Sequence, residues 1–190
     1  MSDTVILWKH LDGDGRDFCR LRRDEEGWLI HGHAVFLHDR SPASLSYRVT
    51  ATPGWHTIAA QVTGWIGADE IDIRIAQAGD GTWLLDGERQ DVAPGIVDLD
   101  LGFTPATNLL PLRRLSLDIG ARADAPAAYF DLSERGLSVL EQSYRRLDVE
   151  SYAYAAPAFG YEAVLTVDAT GFVRRYPDLF EAVTTPLPGR

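Results

Sequence analysis

The sequence predicts a mainly β domain, α+β by strict count, in which a curved, many-stranded antiparallel sheet wraps around a single short helix. Two observations support this fold class. Short segments that alternate apolar and polar residues recur along the chain between turns rich in Gly, Asp and Pro. One central stretch, residues 98–115, breaks the alternation and carries helix signals instead. Strand segments at roughly 8–12-residue spacing are typical of sandwiches, barrels and rolls.

The strands are expected where the alternation is regular. Residues 70–76, EIDIRIA, alternate without interruption, whereas residues 137–147 have both strand and helix character. The sequence DATG at 168–171 predicts a hairpin turn with Gly171 at a positive φ. The other expected strand segments are 4–9, 16–23, 28–37, 45–49, 55–66, 82–85, 96–101, 115–119, 127–132, 152–154, 161–167 and 171–176.

The helix signals lie in DLDLGFTPATNLLPLRRL at 98–115. Thr104 is suited to the N-cap and Pro105 to the first helical position, where its missing N–H costs nothing. Alternatively, Asn108 caps a later start, with Pro111 still inside the first turn. The leucines that follow make this short helix too apolar for a surface position. We therefore expect the sheet to cover it.

Composition limits the classes of protein to consider. A chain of 190 residues suits one domain, 1–190, and residues 183–190 are expected to form a frayed tail. The net charge of −10 argues against nucleic acid as a partner. Cys19 is the only cysteine, so no internal disulfide forms. Without a signal-peptide pattern or about 18 consecutive apolar residues, we expect a cytoplasmic protein with no transmembrane segment.

Three motifs carry a resemblance to a known family: DLDLGFTPATNLLPLRRL at 98–115, EQSYRRLDVESYAY at 141–154 and LTVDATGFVRRYPDLF at 165–180. In these, the chain resembles the bacterial family of putative glycolipid-binding proteins, formerly of unknown function. The family usually has a polar residue where Leu109 stands. The resemblance implies a spiral β-roll or open barrel around a single helix, a role in glycolipid binding or metabolism, and homodimerisation.

Two carboxylates lie next to the helix signals in the sequence. Asp98 and Asp100 share one face of a strand, because side chains alternate with a period of two. They could bind a cation or pair with Arg113 and Arg114. Pairing is favoured, since two carboxylates without further ligands make a poor metal site.

The histidines offer a weaker signal. His31 and His33 share a strand face and, together with His38 or His56, could hold a metal. No H-E-x-x-H, G-x-S-x-G, P-loop or G-x-G-x-x-G motif accompanies them. We therefore expect no metal and no other cofactor, and assign no catalytic residue. An enzyme that uses Asp98, Asp100 or these histidines on a lipid or sugar-lipid stays an alternative.

Aromatic pairs are the remaining signal. Trp55 and Trp65 are expected on one strand face, and Tyr152 and Tyr154 on another. Tyr and Trp present a flat apolar ring with a polar edge, which suits a sugar, and they equally suit a β-core or a dimer interface.

From these signals we predict a polar cluster beside the helix that binds a ligand. Buried Gln, Tyr and Arg side chains are costly unless they are paired or liganded. The same cluster could instead be an internal network that anchors the helix, in a structural or homodimeric module. The expected ligand-binding residues are Asn108, Arg113, Arg114, Gln142, Tyr144 and Tyr154. The expected structural motif consists of Asp98, Asp100, Thr104, Pro105, Thr107 and Pro111.

Overall fold

The computed structural model describes residues 4–23 and 25–183. The expected frayed tail lies outside these residues except for its first position. The first half of the chain contributes β1 (Thr4–His10), β2 (Gly15–Arg23), β3 (Trp28–His38), β4 (Ser41–Ala51), β5 (Thr57–Ile66), β6 (Asp69–Gln77), β7 (Trp83–Leu85), β8 (Glu88–Arg89) and β9 (Asp98–Leu101).

The helical segment follows β9. A 3-10 helix, Pro105–Asn108, runs directly into α1 (Leu109–Leu115), and a second 3-10 helix spans Pro157–Phe159. The second half of the chain contributes β10 (Arg122–Asp124), β11 (Ala127–Asp131), β12 (Gly136–Leu140), β13 (Ser143–Arg146), β14 (Ser151–Ala156), β15 (Tyr161–Val167), β16 (Val173–Tyr176) and β17 (Phe180–Ala182).

Fourteen strands form one antiparallel sheet in the order β10-β13-β14-β15-β16-β17-β1-β2-β3-β4-β5-β6-β7-β8. It is a long meander in which β17, the last strand, pairs with β1, the first. The sheet does not close into a barrel, since β10 and β8 remain at its edges. A second sheet has the order β12-β11-β9, and its β9 runs parallel to β11.

The curved sheet surrounds the helical segment. Leu109 and Leu110 are completely buried, and every residue of the first 3-10 helix is buried. All four residues of β9 are buried as well, whereas β2 and β6 alternate buried and exposed residues. The predicted mainly β fold, a curved sheet around one short helix, is confirmed.

The hairpin turn between β15 and β16 positions the helix. Asp168 accepts backbone hydrogen bonds from Thr170 at 2.8 Å and Phe172 at 3.1 Å. Gly171 has a φ of 94°, as the sequence predicted. A Cβ on Gly171 would lie 3.1 Å from a methyl carbon of Leu109, so the turn packs directly on the helix.

Two local predictions are wrong. No strand forms over 115–119, because the helix continues to Leu115 and Ser116 then ends it in the left-handed conformation. Trp55 and Trp65 do not share a strand face. Trp55 precedes β5 in the turn opened by Pro53, at a φ of 70°, and is buried, whereas Trp65 is 57% exposed.

The ambiguous segment 137–147 forms two strands that belong to different sheets. β12 ends at Leu140 and β13 begins at Ser143, with Glu141 and Gln142 between them. Among the described residues, no helix is long and apolar enough to cross a membrane.

Candidate functional site

Three polar contacts anchor the helical segment to the surrounding strands. The first lies at its start, where the Thr104 hydroxyl caps the 3-10 helix by accepting the Ala106 N–H at 3.1 Å. The same hydroxyl donates to the carboxylate of Asp17 on β2, and Tyr47 on β4 donates to that carboxylate at 2.9 Å. Burial raises the pKa of Asp17 to about 7, although both hydrogen bonds act to lower it.

The second anchor is a chain of three buried side chains. Asn108 Nδ2 donates to the Tyr144 hydroxyl at 2.9 Å, and this hydroxyl donates to Gln142 Oε1 at 3.2 Å. Burial raises the pKa of Tyr144 well above its ordinary value, so it stays a neutral donor. These contacts tie the helix start to β13.

The third anchor is a two-pronged ion pair near the helix end. Arg114 contacts the carboxylate of Asp98 through Nε at 3.0 Å and through Nη2 at 2.5 Å. The Asp98 side chain is fully buried. Burial raises the pKa of Asp98, and the adjacent guanidinium opposes that shift. Hydrogen bonding to Asp98 in turn raises the pKa of Arg114.

Asp100, two residues further along β9, has no such partner. Its residue is only 9% exposed, yet none of the described residues donates a hydrogen bond to its carboxylate. Burial, followed by the nearby charge of Asp98, raises the pKa of Asp100 to about 7. A buried acceptor is costly unless it finds a donor, so for Asp100 the donor comes from the cavity that it lines, as water or as a ligand.

Asp100 faces a cavity of about 290 Å³, which we call the tyrosine cavity. The rings of Tyr154, Tyr161 and Tyr176 touch one another there, with centroids 5.5 to 6.2 Å apart. Asn108 brings an amide from the helix side. The full lining is Asp100, Gly102, Thr104, Asn108, Tyr129, Leu140, Tyr154, Ala156, Phe159, Tyr161, Tyr176, Leu179 and Phe180.

A second cavity of about 280 Å³ adjoins the first, and we call it the His10 cavity. The two linings share four residues: Gly102, Tyr129, Leu179 and Phe180. The ring of Tyr129 lies between the cavities and fits there because residue 102 has no side chain. A Cβ at Gly102 would lie 2.7 Å from Tyr129 Cε2. The two cavities are therefore neighbouring compartments with Tyr129 at their boundary.

The His10 cavity is acidic. Three carboxylates line it, from Asp12, Asp14 and Asp131. His10 stacks on Phe36 with ring centroids 5.4 Å apart, and its Nε2 is buried without a hydrogen-bond partner. Burial lowers the pKa of His10, so its ring is held neutral.

The structure distributes the predicted ligand-binding residues over different places. Asn108 and Tyr154 line the tyrosine cavity, while Gln142 and Tyr144 belong to the anchor behind it. Arg114 is engaged by Asp98. Arg113 lies away from the cavity, exposed, with its guanidinium 5.4 Å from the Trp55 ring centroid.

The predicted structural motif lies around the helix start. Thr104 and Pro105 occupy the expected cap and first position. Thr107 Oγ1 accepts the Leu101 N–H at 3.2 Å, and Pro111 is buried within α1.

Two of the histidines considered for a metal site, His33 and His38, lie in different places. His33 contacts Ser46 at 2.9 Å and Ser44 at 3.3 Å on the outer face of the sheet, and His38 lines the His10 cavity. In the part of the chain that the structure describes, no group of three or more His, Cys, Asp or Glu could hold a metal ion.

The sequence did not indicate most of the residues that line the tyrosine cavity. Tyr129, Tyr161 and Tyr176 come from three different strands, and Phe159 from the second 3-10 helix. Two of these tyrosines belong to the hairpin segments that the sequence predicted. Only the order of the strands in the sheet, however, brings them next to Tyr154.

Together these observations describe a β-roll with a cavity between its curved sheet and a central helix. The chain belongs to the family described as "Putative glycolipid-binding", whose model matches residues 5–182. It is also similar to the crystal structure of a DUF1089 family protein from Pseudomonas aeruginosa. The two are 30% identical with a TM-score of 0.75 over 87% of this chain and 91% of that one. No curated protein matches the chain significantly.

Proposed function

We propose that this protein binds a glycolipid by its sugar headgroup, in the tyrosine cavity between the curved sheet and the central helix. The observation that carries the proposal is Asp100, a buried carboxylate that faces the cavity without a donor from the protein. Sugar hydroxyls are hydrogen-bond donors, and a carboxylate accepts several of them. The family description supports the same ligand class.

The shape of the site suits a headgroup rather than a whole lipid. Its volume of about 290 Å³ lies at the lower end of the range for small-molecule pockets. Phe159 lines the cavity, yet is 58% exposed, and its ring lies 5.4 Å from that of Tyr129. The alkyl chains are proposed to leave the cavity over this phenylalanine.

The walls combine the two features with which proteins hold sugars. Tyrosine rings offer flat apolar faces to the C–H surface of a sugar, and their hydroxyls offer polar edges. Asn108 adds an amide oxygen at the helix end of the cavity, since its Nδ2 is used by Tyr144. The hydrogen bond from Asn108 to Tyr144, which anchors the helix start, therefore also fixes the position of one proposed recognition group.

Catalysis at this site has weaker support than binding. Glycoside hydrolysis generally uses two carboxylates on either side of the scissile bond. Asp98 is paired with Arg114, and Asp100 is the one carboxylate among the described residues that line the tyrosine cavity. A role in glycolipid metabolism would on this proposal be that of a carrier.

The proposal is tested by isothermal titration with three probes: octyl glucoside below its micelle concentration, free glucose, and tetraoxyethylene octyl ether, which has the same tail without a sugar. We expect octyl glucoside to bind most tightly. Asn108→Ala and Tyr161→Ala should weaken it by about tenfold each, because each removes one cavity contact. Arg145→Ala, an exposed change outside the cavity lining, is the control. Equal binding of the ether and the glucoside would contradict the proposal.

Homodimerisation stays a prediction of the family resemblance. The edges of the large sheet are short, with three residues in β10 and two in β8, so they offer little length for pairing with a second copy. Sedimentation at micromolar concentration measures the oligomeric state directly.

A further inference from the structure

We infer that the headgroup this site takes carries an amine, an amino sugar rather than a neutral or acidic one. The inference rests on the proposed function and names the class of headgroup. It concerns the position beside Asp100, where the ligand's ammonium would contact the carboxylate.

The first support is that Asp100, unlike the other two buried aspartates of the described residues, accepts no hydrogen bond from a side chain. Asp17 accepts hydrogen bonds from two hydroxyls, and Asp98 is engaged by a guanidinium. Asp100 has neither kind of donor, and the charge of Asp98 acts on it unfavourably. The group best able to offset a buried, unpaired carboxylate is a cation that also donates hydrogen bonds.

The second support is the charge of the linings. Among the residues that the structure describes, no arginine and no lysine lines the tyrosine cavity or the adjoining His10 cavity. The acidic side chains of the two linings are Asp100 in the first and Asp12, Asp14 and Asp131 in the second, where His10 and His38 lie beside them. A phosphate, sulfate or carboxylate headgroup would meet repulsion in either compartment, whereas an ammonium would be attracted.

The third support is the aromatic lining of the same cavity. Tyr154, Tyr161 and Tyr176 contact one another with ring centroids 5.5 to 6.2 Å apart, and Tyr129 adds a fourth ring. The faces of aromatic rings carry negative potential and attract ammonium groups, most strongly where water is excluded. Carboxylate and rings therefore favour the same sign of charge in one cavity.

A charge series at constant tail tests the inference. Octyl glucosaminide, octyl glucoside and octyl glucuronide have an amine, a neutral and an acidic headgroup. At pH 7 we expect the glucosaminide to bind about tenfold more tightly than the glucoside. The glucuronide should bind more weakly than both.

The matched variant is Asp100→Asn, which keeps the shape and removes the charge. It should bring the affinities of the glucosaminide and the glucoside within about twofold of each other, whereas Asp118→Asn, an exposed change, should leave the tenfold ratio intact.

Three different binding results would overturn three different parts of the proposal. Equal affinity of the wild-type protein for the glucosaminide and the glucoside overturns the amine assignment and leaves glycolipid binding standing. A tenfold preference that persists in Asp100→Asn overturns the role of Asp100. Absence of binding for all three glycosides overturns the proposed function and the inference together.

Discussion

Asp98 and Asp100 lie two residues apart on β9 and are both buried, but one is paired with an arginine and the other faces a cavity. Asp98 meets Arg114 in a two-pronged ion pair that ties the helix to the strand. Asp100 faces the tyrosine cavity, and none of the described residues donates to it. The pair separates two situations that the sequence motif combines: the Asp98 carboxylate anchors the helix, and the Asp100 carboxylate faces a cavity. On the proposed function, Asp100 is the one that meets the ligand.

The largest expected effect comes from breaking the ion pair between Asp98 and Arg114. Arg114→Ala leaves the Asp98 charge buried without its cation, which should lower the free energy of unfolding by about 3–5 kcal/mol. Arg113→Ala is the neighbouring control. It removes an exposed cation that contacts Trp55, and should cost about 1 kcal/mol or less. Urea unfolding of both variants measures the difference, and equal losses would mean that the ion pair does not anchor the helix.

Removing the unpaired charge of Asp100 should instead stabilise the protein. Asp100→Asn removes a buried charge that none of the described residues satisfies, so we expect the free energy of unfolding to rise by about 1 kcal/mol. Loss of stability together with retained glycoside binding would show that Asp100 is a structural residue like Asp98. Thermal unfolding in the absence of glycoside, followed by titration with octyl glucoside, gives both values on one preparation.

A smaller effect is expected at the boundary between the two cavities. Gly102→Ala would place a methyl group against the Tyr129 ring and push the ring into one of the compartments. Octyl glucoside should then bind about tenfold more weakly, with the fold retained, because the half-buried ring has room to move. Gly136→Ala is the control, since a Cβ there would meet nothing nearer than the Glu134 carbonyl oxygen at 4.0 Å. Unchanged binding in Gly102→Ala would place the ligand away from Tyr129.

The smallest effect concerns pH. Burial raises the pKa of Asp17 and of Asp100 from 3.8 to about 7 in the folded state. The folded protein then holds more protons than the unfolded chain, so this stabilisation is fully present below pH 3.8 and is lost as the pH rises through about 7. His10, with its lowered pKa, acts oppositely as the pH falls below its ordinary value of 6.5.

Melting temperatures between pH 6.5 and 8 isolate the contribution of the carboxylates. We expect the melting temperature to fall as the pH rises across this window, with a shallower slope in Asp100→Asn than in the wild-type protein. An identical slope in the two proteins would mean that Asp100 titrates outside the window.

The sequence carried enough information to predict the sheet, the helix and the pairing of Asp98 with Arg114. The same pairing prediction was wrong for Asp100 and Arg113, because Asp100 faces a cavity and Arg113 lies over Trp55. Period-two alternation located most strands, and Thr104-Pro105 marked the helix start because capping is a local property. The predicted strand at 115–119 failed because its residues, LSLDI, alternate as a strand does, whereas the left-handed Ser116 that ends the helix there has no strong sequence signal.

The cavity could not be predicted in the same way. Tyr154, Tyr161 and Tyr176 meet through pairings of β14, β15 and β16, and the cavity also needs β17 and the parallel pairing of β9 with β11. These are relations between distant segments, on which alternation within one strand has no bearing. The same limit applies to Asp100: its position in β9 was predicted, but the lack of a donor around it depends on every neighbouring strand.

The most direct test of the separation between Asp98 and Asp100 is a carbon NMR titration of aspartate carboxyls, with Asp100 assigned by its loss in Asp100→Asn. We predict a midpoint of about 7 for Asp100 in the free protein, raised by burial among Asp98 and the tyrosines at 129, 144, 154 and 176. Saturation with octyl glucosaminide should lower this midpoint, because ligand donors stabilise the carboxylate. A midpoint near 3.8 in the free protein, or one unchanged by the ligand, would contradict the account.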